Sequence, residues 1–119
     1  MTMLATVAVL FVAALHVAFL VLEMFFWTKP LGRRVFGMPQ DVATVSATLA
    51  ANQGLYNGFL AAGLVWGVYL GDAGFTVKAF FLICVIVAGV FGAATAKKSI
   101  LFVQALPAAV ALLLVYLTR

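Results

Sequence analysis

Charge is what this sequence has least of. Three acidic side chains, Glu23, Asp41 and Asp72, face seven basic ones in 119 residues, and charged residues reach only 8%. Soluble domains carry about a quarter. A chain this poor in charge cannot clothe a surface in water, so it is expected to be an integral membrane protein. The same poverty leaves no polar groove for nucleic acid, and the net charge of +4 reads as loop charge that faces anionic lipid and sets topology. Cysteine is nearly absent too. Cys84 stands alone in an apolar run and has no internal disulfide partner. There is no CxxC, no HExxH, no phosphate-binding glycine loop and no nucleophile elbow, so no metal is indicated and a cofactor stays unassigned. The first apolar run lacks a basic leader and outlasts the usual signal-peptide core, and it is expected to be retained.

What the sequence has in abundance is apolar length, 67% of all residues. Cutting it at charges and Gly/Pro clusters gives four helices, about 3–27, 41–70, 75–96 and 100–117. Their apolar parts are each long enough to cross roughly 30 Å of hydrocarbon. The expectation is an all-α, four-transmembrane-helix bundle forming one integral membrane domain over 1–119. Pro30 ends the first helix, and Asp41 is placed to cap the second. Lys29, Arg33, Arg34, Lys97 and Lys98 fall in the first and third loops, whereas Lys78 and Arg119 fall on the other side. Both termini are therefore expected outside a bacterial inner membrane. Trp27, Trp66, Tyr69 and Tyr116 fit interfacial anchors.

Measured from the inner boundaries at about 1.5 Å per residue, the polar residues of the spans collect at one depth. Glu23, the "NQGLYNG" run from Asn52 to Gly58, Thr95 and Gln104 all fall in the inner third. Unpaired polar groups are costly in hydrocarbon, so a shared hydrogen-bonded layer is expected. On the second helix Asn52, Gln53, Tyr56 and Asn57 occupy an arc of about 140°, with Gly54 and Gly58 on the other side. Gly54-x-x-x-Gly58, Gly63-x-x-x-Gly67 and the line Cys84, Ala88, Gly92 and Ala96 suggest close helix packing, within one chain or in a homo-oligomer.

Glu23 is the sharpest candidate, as the one carboxylate inside a span; an ion pair with Arg33 or Arg34 is the structural alternative. His16 lies seven residues earlier on the same face but some 10 Å along the axis, too far to share a metal. It is either a proton-path partner or a neutral imidazole bonded to a neighbouring helix. Pro107 removes a backbone donor and displaces the carbonyl of Val103 near Gln104.

The segments "LEMFFW", "VFG", "NQGLYNGFLAAGLVWG", "CVIVAGVFGAAT" and "ILFVQALPA" resemble those of the bacterial small membrane protein family called domain of unknown function 1304. The resemblance covers nearly the whole chain. It implies a four-helix membrane protein with Glu23, Asn52, Gln53, Tyr56, Asn57 and Gln104 in its motifs, and it carries no activity.

Three functional readings follow. The preferred one is a polar inner-leaflet pocket, built from Glu23, Asn52, Gln53, Tyr56, Asn57, Gln104 and His16, that binds a small amphipathic molecule or a lipid headgroup. The second is a proton-coupled exporter using Glu23, similar to the small multidrug resistance transporters, although Glu23 lies near a helix end and not at its centre. The third is a membrane enzyme on a four-helix bundle, resembling the glutathione-dependent family of eicosanoid metabolism. The arginines its cofactor would need occur only in the first loop.

Overall fold

The computed structural model describes residues 2–119, and Met1 lies outside the described residues. Among these the chain is all-α, with no strand. The helices are α1 (Met3–Phe25), α2 (Pro30–Phe36), α3 (Gln40–Tyr69), α4 (Phe75–Thr95) and α5 (Leu106–Leu117). A 3₁₀ turn, Gly71–Gly74, leads into α4, and a π-helical turn, Leu101–Ala105, leads into α5.

Two features differ from the sequence reading. The first loop contains a helix, α2, where a connection is expected. Pro30 opens it from the first turn, where a missing N–H costs nothing, and Gly37 closes it at φ 63°, a left-handed conformation that favours glycine. Asp41 does not cap α3. The helix begins one residue earlier, and Asp41 sits in its first turn, where a negative charge still complements the helix dipole. Length and apolarity qualify two segments for crossing a membrane, Met3–Phe25 and Gly71–Thr95. The 30-residue α3 is interrupted by polar side chains, and Leu101–Leu117 is apolar but shorter.

The chain divides into two compact units. One comprises residues 15–59: the second half of α1, α2 and the first half of α3. The other comprises the chain up to Ala14 and residues 60–119. In the latter a core forms from Ala5, Val9 and Val12 of α1, Ala61 and Leu64 of α3, Leu82 and Val85 of α4, and Ala108, Ala111 and Val115 of α5. The buried line on α4 is Lys78, Leu82, Val85 and Gly89, at helical spacing. The expected line of Cys84, Ala88, Gly92 and Ala96 is instead half-buried or exposed. Gly89 lies against the backbone of Ala105, leaving no room for a larger residue.

Pro107 explains the π turn. Its ring clashes with a carbonyl four residues earlier, at Val103, and its nitrogen cannot donate. Widening the preceding turn by one residue relieves the crowding, and the Leu106 N–H donates to the Leu101 carbonyl.

Candidate functional site

A buried polar pair on two helices lies in the unit formed by residues 15–59. On α1 the buried stripe runs through His16 to Glu23, a spacing of two helical turns. Glu23 retains 9% of its surface and His16 none. On α3 the buried residues of this unit are Ala43, Ala50, Gly54 and Asn57. Three are small. Asn57 is the exception, and its Nδ2 donates to Glu23 Oε1 at 2.5 Å.

The small residues make this contact geometrically available. A Cβ on Gly54 would fall 3.2 Å from Glu23 Cβ, 2.6 Å from Met24 Cγ and 3.2 Å from the Leu20 carbonyl. Glycine lets the backbones approach until a short asparagine spans the gap. Glu23 thus takes its hydrogen bond from Asn57, and among the described residues it forms no ion pair with Arg33 or Arg34.

The other members of the "NQGLYNG" run point elsewhere. Asn52, Gln53 and Tyr56 are exposed, and Tyr56 rests at 6.2 Å from the ring of Phe59. Helical geometry gives the reason. Taking Asn52 as the origin, Tyr56 falls at about 40°, Gln53 at about 100° and Asn57 at about 140°, while the buried line of Ala43, Ala50 and Gly54 centres near 180°. Only the Asn57 edge of the polar arc overlaps the buried face. The expected division into a polar face and a small-residue face is therefore corrected: the small face is the inward one, and it includes Asn57.

His16 is enclosed, with its ring edge-on to Phe19 at 5.3 Å. Gln104, half-buried on the π turn, belongs to the other unit. Trp27, expected as an interfacial anchor, is tied into the protein: its Nε1 donates to Ser46 Oγ at 3.0 Å, and its ring lies 4.9 Å from Phe36. Thr95 Oγ1 donates back to its own helix at Phe91. No cluster of three or more His, Cys, Asp or Glu side chains is present among the described residues.

Sequence reasoning missed Lys78. It is almost fully enclosed, with Nζ donating to the Gly71 carbonyl at 2.9 Å and its stem packed against Gly67. A cavity of about 30 Å³ beside it is lined by Asp72, Phe75, Lys78, Val115 and Arg119. The available signal was a lone lysine four residues into a span otherwise free of charge.

The family model for a protein of unknown function, DUF1304, matches residues 10–116. This chain belongs to the DUF1304 family. Within it, a similar protein is the uncharacterized protein YpaA of Lactococcus lactis subsp. lactis (strain IL1403), 31% identical over 106 residues that cover 87% of this chain and 89% of the relative. No solved structure matches the chain. The DUF1304 match spans both Glu23 and Asn57, and with them the whole of the unit that holds their hydrogen bond.

Proposed function

We propose that this DUF1304 protein is a four-span integral membrane protein of the inner membrane, with both termini outside, that binds a small amphipathic molecule or lipid headgroup through the polar row of α3. The apolar segments are turned outward: 28% of the Met3–Phe25 window and 22% of the Gly71–Thr95 window are buried. A core helix of a soluble protein would show the reverse, and outward apolar surface of this extent calls for lipid. Reading α3 and Leu101–Leu117 as the other two spans accounts for the basic first and third loops.

The observation that carries the binding reading is the exposure of Asn52, Gln53 and Tyr56 along one side of α3. Against hydrocarbon their donors and acceptors would go unsatisfied. A hydrogen-bonding headgroup satisfies them. Behind this row, the Glu23–Asn57 pair fixes the helix that presents it.

The test replaces the row by Asn52→Leu, Gln53→Leu and Tyr56→Phe together. Molecules carried through purification, identified by mass spectrometry, should be lost while the protein remains folded. An unchanged profile rejects the reading, and so does a change from dimer to monomer, which would assign the row to a contact between copies. Cysteine labelling at Arg33 and Asp72 replacement sites tests the topology; labelling of the first site from outside intact cells would reverse it.

A further inference from the structure

The short helix α2 has its orientation fixed on one side. A Cβ on Gly32 would collide with the Phe26 carbonyl, so this side lies flat on the residues that follow α1. The Phe36 ring packs at a tilt against Trp27. Leu31 and Val35 share one flank, about 100° and 60° from Gly32, and Arg34 lies on the far side at about 160°; all three are exposed. Leu31 is 46% and Val35 51% exposed, an apolar outer face that water does not favour. Seven residues give a length of roughly 10 Å, far too short to span a bilayer.

Beside this apolar face stands concentrated positive charge. Lys29, Arg33 and Arg34 have no ion-pair partner among the described residues, and Glu23 of the same unit is committed to Asn57. The Nε of Arg33 is buried without any hydrogen-bond acceptor. A free anion would answer the cations but leave Leu31 and Val35 in water. A soluble acidic peptide would leave them equally exposed. Anionic phospholipid answers both needs, since its phosphate complements the arginines and its acyl chains cover the leucine and valine.

We infer that α2 is an interfacial helix that docks on anionic phospholipid, with Leu31 and Val35 at the acyl boundary and Arg33 and Arg34 on the headgroup phosphate. This rests on the membrane reading above and names one class of headgroup for it. Lys29 adds to the local positive potential.

The experiment reconstitutes the full chain into bilayers mixing phosphatidylcholine with phosphatidylglycerol, then measures by mass spectrometry the ratio of the two lipids retained through detergent purification. Phosphatidylglycerol should be enriched over its input ratio. Arg34→Gln, at an exposed position, should reduce the enrichment roughly fivefold, as expected for one basic residue at an anionic surface. Arg33→Gln with Arg34→Gln should return it to the input ratio. Retention of the two lipids at the input ratio by the unmodified protein, or undiminished enrichment in Arg34→Gln, overturns the inference. Full displacement by excess inorganic phosphate also overturns it, in favour of a free-anion site. Carbonate extraction of the same membranes separates the two readings. Release of the unmodified protein defeats the membrane reading and this inference together, whereas retention without enrichment defeats the α2 assignment alone.

Discussion

Glu23 and Lys78 are buried charged-type side chains in different units, and each is stabilised in a different way. Lys78 is satisfied locally: its Nζ reaches back seven residues to the Gly71 carbonyl, so most of the arrangement is set once the 3₁₀ turn and the start of α4 have formed. Glu23 depends on Asn57, 34 residues away on another helix, and on the glycine that lets the two backbones approach. The lysine is a feature of one helix start. The carboxylate is a feature of helix packing, and only the second can report whether α1 and α3 are correctly assembled within their unit.

The sharpest way to break this contrast is Asn57→Leu. It leaves Glu23 enclosed without its donor, and a loss of about 1–3 kcal/mol in stability is expected, read from denaturation in detergent. A loss no larger than that of an exposed α3 substitution such as Gln53→Leu would show that Glu23 finds a substitute partner. Lys78→Met comes next. It keeps the stem against Gly67 and removes the bond to Gly71, whose carbonyl belongs to a turn, together with the attraction between Lys78 and Asp72, so about 1 kcal/mol is expected. A cost above that of Asn57→Leu in the same assay would invert the comparison.

Glu23→Gln should cost less than either. The glutamine carbonyl still accepts from Asn57, and the charge is no longer enclosed. A double-mutant cycle of Glu23→Ala with Asn57→Ala should give a coupling of at least about 0.5 kcal/mol, while Glu23→Ala with Lys78→Met should be additive. Trp27→Phe has the smallest expected effect, under about 1 kcal/mol. It removes the bond to Ser46, whose hydroxyl keeps its own bond to the Val42 carbonyl, and retains an aromatic ring against Phe36.

The all-α class was legible in the sequence because it rests on long apolar runs. The meeting of Glu23 with the α3 polar run was legible because a carboxylate at that depth is expensive unless partnered. Which residue of the run would meet it was not. Asn52, Gln53, Tyr56 and Asn57 share chemistry, and only the direction of the small-residue face distinguishes Asn57 from the rest. Helix α2 was hidden for another reason. "PLGRRVF" has a proline, a glycine and two arginines in seven residues, which reads as a connection, and its helical form depends on a Gly32 contact with Phe26 that no periodicity announces. Lys78 was passed over because a charge so near a span end is ordinarily read as loop charge.

The π turn at Leu101–Ala105 divides its segment into two angular phases. Beyond it, Ala108, Ala111 and Val115 hold the core side of α5; in its own first part, Leu101, Phe102 and Val103 are exposed. One surplus residue separates the two settings, equivalent to about 100° of rotation. Deleting a single residue from this turn, with Pro107→Ala to remove the ring that crowds the carbonyl four residues earlier, would allow an ordinary helical pitch, leave the core phase of α5 untouched, and swing the side chains on its N-terminal side by about that angle. The proline and the length of this segment together set the direction of those side chains.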